Sequence, residues 1–192
     1  MNNRSRNNPA KGFSLIELTV VSLMTVGMCL ALAAVLRMGQ RSWQAGQNHM
    51  TVSFELRRGI NAMSRELAQT QAGLLQVPGA GALPANGNFY NSVQFQVPQD
   101  VDGNGNVLDG AGALEWSPNA ITYSLGGVDG RQVQRSQGGA VSVLAHGVTA
   151  LQFRRLTTNP SIVEMRMTVQ RGSSMGGFIN QADLTTRIRV RN

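Results

Sequence analysis

The feature that most constrains this chain is an apolar stretch from Phe13 to Leu36 that is interrupted by one charged residue, Glu17. At about 1.5 Å of rise per residue, an α-helix over this stretch measures roughly 36 Å, which is enough to cross the hydrocarbon layer of a bilayer. The preceding residues 1–12, MNNRSRNNPAKG, form a polar, basic leader without acidic residues. Basic residues before a spanning helix favour retention of that end in the cytoplasm. We therefore expect residues 13–36 to span a membrane and the C-terminal domain to lie on its far side.

Two simpler explanations fit part of this pattern. A secretory signal peptide also begins with basic residues, but it has a shorter apolar run followed by a small-residue cleavage site. Here the chain continues as VLRMGQRSWQAGQNHM, without the turn residues that normally surround such a site. An uncleaved membrane anchor agrees with the hydrophobicity equally well, so this alternative stays open.

Glu17 is the residue that separates these explanations. An ionised carboxylate near the middle of a membrane helix costs about 2.5 to 3.5 kcal/mol on insertion scales, so it usually marks a function or a specific partner. In the string GFSLIEL this glutamate comes five residues after Gly12. On these residues the chain resembles the type IV pilins and type II secretion pseudopilins, whose N-terminal motif is a glycine, an aromatic first mature residue and a glutamate at the fifth mature position.

The resemblance implies a maturation and assembly route. A prepilin peptidase would cut between Gly12 and Phe13 and methylate the new amine of Phe13. Glu17 would then pair with the Phe13 amine of a neighbouring subunit. The implied partners are this peptidase, other pilins or pseudopilins contacted through the N-terminal helix, the inner-membrane assembly platform, and membrane lipid before assembly.

The resemblance also implies a location and a role. The chain would first be a single-pass protein of the inner membrane with its C-terminal domain in the periplasm, and later part of a pilus or pseudopilus. Residues 13–36 contain no proline, and the chain has one cysteine, Cys29, so the kink and the disulfide of many major pilins are missing. We therefore expect a non-enzymatic minor pilin or minor pseudopilin, acting in the initiation or tip complex of a type IV pilus or type II secretion pseudopilus.

The helix is predicted to continue over residues 37–72 in amphipathic form. Apolar residues recur there at spacings of three or four, which places them on one helical stripe: Val52, Leu56, Ile60, Met63 and Leu67. Such a stripe is typical of a helix that packs on a domain.

Residues 73–192 are predicted to form a β-rich globular domain. A loop rich in glycine and proline follows the helix, and apolar residues then alternate with polar ones in short segments. These alternating positions are Val93, Phe95 and Val97, Ile121 and Tyr123, Val133, Val141 and Val143, Leu151 and Phe153, Met165, Met167 and Val169, and Ile188 and Val190. The connections are too short for crossover helices, so we expect an antiparallel sheet and an α+β, pilin-like fold. The order of ITYSLGG, RQVQR, VLAHGVTALQFRR and RIRVRN is similar to the J-type minor pseudopilins and W-type minor pilins.

One loop, DVDGNGNVLD at residues 100–109, contains several side chains that can act as metal ligands. Its side chains with oxygen atoms are Asp100, Asp102, Asn104, Asn106 and Asp109. Asp100, Asp102 and Asn104, followed by Gly105, match the first half of an EF-hand-like calcium loop, and Asn106 would offer its backbone carbonyl. The twelfth position, which should be acidic, is Ala111, so Asp109 or Glu115 would have to complete the ligand set. The alternative is a turn without any ion, because Asp, Asn and Gly favour turns by themselves.

No pattern for catalysis is found. His49 and His146 lack the spacing of a zinc site or a catalytic triad. The net charge of +7 comes with scattered arginines, which disfavours nucleic-acid binding. Two further functions stay open: a pilus-borne adhesin or DNA-uptake module, which a basic stripe of Arg131, Arg135, Arg154 and Arg155 would favour, and a plain membrane-anchored periplasmic domain. Apart from calcium, no cofactor is expected.

Overall fold

The computed structural model describes Gly12 and residues 14–172 and 179–191. The chain divides into two compact units, Met1–Gln44 and Ala45–Asn192. One helix, α1 (Leu15–Leu67), runs through both units and packs against antiparallel sheets, so the predicted α+β class is confirmed. The helix ends five residues before the predicted end at residue 72, and a short 3-10 helix, Ala72–Leu74, follows.

The early end of α1 has a cause in backbone hydrogen bonding. The N–H of Arg191 donates to the carbonyl of Thr70 at 2.9 Å, and the N–H of Ala72 donates to the carbonyl of Arg191 at 2.9 Å. These backbone groups therefore pair with the end of the chain instead of continuing the helical ladder. The glycine that signals the end of the helix in the sequence is Gly73, six residues after the helix ends.

The Ala45–Asn192 unit contains nine described strands in two antiparallel sheets. The six-stranded sheet has the order β2-β1-β3-β4-β5-β6 and the three-stranded sheet has the order β7-β8-β9. Their bounds are β1 Gln76–Val77, β2 Gly81–Ala82, β3 Val93–Phe95, β4 Ile121–Gly126, β5 Gln132–Gln137, β6 Ala140–His146, β7 Val148–Arg155, β8 Ile162–Gly172 and β9 Ile179–Arg189. The chain passes between the sheets at Gly147, which has a φ of +71° and lies so close to the Gln170 carbonyl that a Cβ would stand 3.0 Å from that oxygen.

The predicted stripe on α1 forms the helical side of the core. All five of its residues are buried. Gly59, in the middle of the stripe, brings the helix close to both sheets, since a Cβ there would lie 3.1 Å from Ala145 of β6 and 3.1 Å from Met167 of β8. The glycine therefore permits the close packing of one helix against two sheets.

The predicted inward positions are buried in β3, β4, β5, β7 and β8. In β6 the prediction is wrong, because Val141 and Val143 are 58% and 37% exposed. The pairing of β5 with β6 shifts register, so that Val133 pairs with Ala145 but Gln134 pairs with Val143. The extra residue in β6, Leu144, turns Val143 to the outer face.

Candidate functional site

The helix within Met1–Gln44 presents apolar side chains to its surroundings on every side. The large apolar residues from Leu15 to Met38 are between 51% and 81% exposed, and the most apolar window of α1 has no buried residue. By length and composition the helix can cross a membrane. Among the residues that the structure describes, the first buried apolar residue is Val52.

Three hydroxyl groups in this apolar segment are satisfied inside the helix. Thr19 Oγ1 donates to the carbonyl of Ile16, Ser22 Oγ to that of Leu18, and Thr25 Oγ1 to that of Val21, each at 2.8 Å. A hydroxyl in a hydrocarbon layer needs a partner, and these residues find one without leaving the helix. The segment is therefore suited to an apolar environment despite its polar residues.

Glu17 differs from these hydroxyl residues. It lies in the first turn, where its N–H donates to the carbonyl of Ser14 at 3.0 Å. Its side chain is exposed, and its carboxylate has no hydrogen bond or ion pair with any residue in the part of the chain that the structure describes. Gly12 is also exposed, whereas Phe13, the predicted cleavage and methylation residue, lies outside the described residues.

The loop predicted to bind calcium brings three carboxylates together. Oxygens of Asp100, Asp102 and Glu115 all lie within 4.8 Å of one another. Glu115 reaches the loop because its N–H donates to the carbonyl of Val107 at 2.9 Å, and its Oε2 accepts the N–H of Val101 at 2.6 Å. Two of the predicted ligands and the alternative acid, Glu115, therefore share one cluster.

The other predicted ligands have different roles. Asp109 is outside the cluster, because its Oδ1 accepts the N–H groups of Ala111 and Ala113 at 2.9 and 2.8 Å and closes a turn of its own. Asn104 donates from Nδ2 to Asp102 Oδ2 at 2.8 Å and accepts the N–H of Asn106 at 2.7 Å. Asp109 therefore closes a local turn apart from the three clustered carboxylates, and its place in the ligand set stays a prediction.

Backbone hydrogen bonds hold the acidic loop in place. Asp100 accepts the N–H of Gly105 at 2.9 Å and that of Gly103 at 2.7 Å, and these bonds, that of Gly105 first, keep the pKa of Asp100 below its usual value. Gly103 and Gly105 have φ angles of +77° and +85°, which turn their N–H groups toward the carboxylate. The same hydrogen bonds would also form in a turn that binds no ion. This geometry is therefore compatible with both a calcium site and a simple turn.

The arginines of the predicted basic stripe are mostly engaged inside the domain. Arg135 Nε lies 3.0 Å from Glu66 Oε2, and the same carboxylate accepts the hydroxyl of Tyr123 at 2.6 Å. Burial, together with the neighbouring Glu66, raises the pKa of Tyr123, so the hydroxyl stays a donor. The sequence places Glu66 beside the buried stripe of α1 but gives no sign that it pairs with a strand.

Arg154 and Arg155 are engaged in a similar way. Arg154 lies 2.6 Å from Glu164 Oε1 and stacks over the ring of Phe89 with its guanidinium carbon 4.4 Å from the ring centroid. Arg155 donates to the carbonyls of Pro160 and Leu83 at 2.9 and 3.1 Å. Of the four arginines, only Arg131 is exposed. The stripe that would favour an adhesin or a DNA-uptake module is therefore not formed as a free basic surface.

The histidines form no catalytic or metal arrangement among the described residues. His49 is exposed on α1. His146 lines a cleft of about 340 Å³ with Glu55 and Arg171, where its backbone N–H lies 3.3 Å from Glu55 Oε2. Comparison of the chain with protein-family models, with curated proteins and with solved structures finds no match.

Proposed function

We propose that the chain is a structural subunit of a type IV pilus or a type II secretion pseudopilus, as a minor pilin or minor pseudopilin. Residues 13–36 hold it in the inner membrane with the globular domain in the periplasm, until the same helix packs among other subunits. The observation that carries the proposal is the Glu17 carboxylate, which is unpartnered among the described residues, in an apolar segment where the hydroxyl groups of Thr19, Ser22 and Thr25 are bonded within the helix.

An unpartnered carboxylate on an apolar helix needs a cation from outside the chain. A carboxylate removed from water without a partner costs several kcal/mol, whereas a paired one is tolerated. Cleavage after Gly12 would give Phe13 a terminal amine, and the same amine on a neighbouring subunit would stand at the matching depth of its own helix. Pairing between the two would fix the register of an incoming subunit.

The distribution of buried residues along α1 supports this role. The buried apolar residues in the described part of the chain all lie between Val52 and Val190, so none of the core side chains described comes from the helix before Val52. That first part of the helix remains available for lipid and then for the helices of other subunits.

The maturation step predicts a defined mass for the protein purified from its native membrane. We expect intact-mass measurement to show loss of residues 1–12 and gain of one methyl group. Gly12→Val should retain the leader, because a side chain next to the cut hinders the peptidase. A Cβ at Gly12 would meet nothing within 4 Å, so the substitution does not disturb the described fold.

Two other masses would contradict the proposal. A parent protein that keeps its leader would be a plain membrane anchor, and one cut after the apolar helix would be an ordinary secreted domain. Equal processing of the parent and Gly12→Val would also contradict it.

A second function, calcium binding at the loop of residues 100–115, is favoured by one observation. Glu115 is distant in sequence from Asp100 and Asp102, yet its carboxylate joins theirs within 4.8 Å. Local turn preferences account for Asp100 and Asp102, but they do not require an acid from the opposite side of the loop. Three carboxylates at this distance repel one another, and a hard divalent cation with oxygen ligands would remove that repulsion.

Calcium is therefore expected to stabilise the protein against thermal unfolding. At a calcium concentration about 100 times the Kd, the free energy of unfolding should rise by about 2.7 kcal/mol. Melting curves of the full chain, recorded with calcium and with a chelator, measure this difference. Glu115→Gln should remove most of the rise, and magnesium should reproduce little of it. If chelation leaves the melting temperature unchanged, the loop does not bind calcium and is a turn without an ion.

A further inference from the structure

The outer face of the six-stranded sheet carries no charge. Arg135 is the one Asp, Glu, Lys or Arg in strands β1–β6, and its side chain binds Glu66 of α1 on the inner side. One row of paired residues crosses the sheet on the outer side: Gln76 pairs with Gln94, Gln94 with Thr122, and Thr122 with Ser136. In a chain with 17 basic and 10 acidic residues, this row consists of amides and hydroxyls.

A cleft of about 430 Å³ opens at one end of this row. Four of its lining side chains are amides: Gln76, Gln94, Gln96 and Asn119. Gln96 donates to the carbonyl of Ser117 at 2.9 Å. The amides of Gln76, Gln94 and Asn119 have no hydrogen-bond partner in the described ranges 14–172 and 179–191, so their donors and acceptors are free for a ligand.

We propose that this cleft binds a neutral saccharide. A side-chain amide offers both donors and an acceptor, which matches the hydroxyl groups of a sugar, each of them donor and acceptor as well. Leu74 and Pro118 also line the cleft and supply apolar contact for the C–H face of a sugar ring. The absence of charge in the described lining leaves an anionic or cationic ligand without a counter-ion, and desolvation would then disfavour it.

The shape of the site favours a small polar ligand over a protein partner. The volume falls within the range of about 300 to 1,000 Å³ that is usual for small-molecule sites. Protein interfaces depend on a few large buried anchors, mostly Trp, Tyr and Arg. The one aromatic residue of the lining, Phe95, is 1% exposed and belongs to the core.

All lining residues belong to the Ala45–Asn192 unit. Saccharide binding therefore does not depend on leader cleavage or on assembly into a fibre. The unprocessed full chain should bind as well as the mature one, so failure of this inference leaves the proposed function untouched, and the reverse also holds.

Isothermal titration of the full chain tests the inference, in a detergent without a sugar headgroup. The neutral probes are maltotriose, cellotriose and chitotriose, and the charged controls are sialyllactose and a glucosamine trimer. We expect saturable binding of at least one neutral probe and none of the charged ones. Loss of one amide partner in Gln94→Leu or Asn119→Ala should weaken binding by roughly three- to tenfold.

Gln152→Leu is the matched control, because Gln152 is a half-buried glutamine in β7 of the other sheet. Its affinity should equal that of the parent. Asn119 is exposed, so its variant tests the site even where Gln94→Leu folds poorly. The inference is overturned if no neutral probe saturates the protein, if both cleft variants bind as tightly as the parent, or if a charged probe binds more tightly than the neutral ones.

Discussion

Glu17→Ala is expected to abolish entry of the chain into fibres while leaving its membrane insertion and leader cleavage intact. A charge at the centre of a membrane helix costs about 2.5 to 3.5 kcal/mol. Glu17 lies in the first turn, so removal of its carboxylate relieves part of that cost and insertion becomes easier. Assembly into the fibre becomes less favourable instead, because the ammonium of the neighbouring subunit remains in an apolar setting without its partner. Breaking a buried pair in this way costs about 3 to 5 kcal/mol, or roughly a hundred- to several-thousand-fold in the binding constant.

The measurement is the amount of variant recovered in sheared fibres from the native host, divided by the amount in its membranes. Thr19→Val is the matched control, because Thr19 Oγ1 donates to the carbonyl of Ile16 in its own helix and does not need a partner in another subunit. This control should enter fibres like the parent. Equal recovery of Glu17→Ala and the parent would remove the role assigned to Glu17.

Glu164→Gln should destabilise the globular domain. The Glu164 side chain is 5% exposed, and its carboxylate binds Arg154 at 2.6 Å and Arg187 at 2.9 Å. A neutral amide leaves two guanidinium groups without their anion. Because the Arg187 side chain is 66% exposed and regains water, we expect a loss of about 2 to 3 kcal/mol, below the about 3 to 5 kcal/mol of a fully buried pair.

Urea unfolding of the full chain in detergent, followed by the fluorescence of Trp116 and Trp43, measures this loss. Asp129→Asn is the control, because Asp129 is exposed and asparagine tolerates its φ of +56°. Its effect should stay within about 0.5 kcal/mol. A Glu164→Gln variant as stable as the parent at pH 7 would show that the two ion pairs contribute nothing to stability.

The same carboxylate makes stability depend on pH. Burial tends to raise the pKa of Glu164, but the hydrogen bonds from Arg187 and Arg154 outweigh it and hold the pKa below the ordinary 4.5. Because the pKa is lower in the folded state, the stability from this group is present above pH 4.5 and is lost as the pH falls through the folded value. The difference in unfolding free energy between the parent and Glu164→Gln should therefore shrink as the pH falls below 4.5.

The sequence predicts the parts of the fold that follow from periodicity. The stripe on α1 repeats every three or four residues, and each of its residues is buried. Alternation likewise identifies the core positions of β3, β4 and β7, because side chains on a strand point to opposite faces in turn. These patterns are local, so one sequence is sufficient to find them.

Other features depend on contacts between distant residues. The bulge that turns Val143 outward follows from the pairing of β5 with β6, and the change of sheet at Gly147 depends on the approach of Gln170. The end of α1 is set by Arg191, at the far end of the sequence. The residues around these positions do not by themselves predict the pairing partners.

The candidate sites also combine residues that a local pattern identifies with residues that only the fold brings together. Asp100 and Asp102 are neighbours in sequence and could be predicted as a pair, whereas Glu115 joins them only through the fold. The arginines of the proposed stripe were visible in the sequence, but their partners Glu66 and Glu164 were not. The sequence gives no sign of the cleft lined by amide side chains, because Gln76, Gln94 and Asn119 are far apart in the chain and belong to no motif.

The central claim is that another subunit's terminal amine neutralises Glu17. Zero-length carbodiimide crosslinking of isolated fibres tests it most directly, because this reagent joins a carboxylate to an amine only where the two touch. Mass spectrometry should identify a peptide in which the Glu17 side chain is joined to the N-terminal residue of a neighbouring subunit. Fibres whose Glu17 is recovered only free, or joined to an amine within its own chain, would contradict the account.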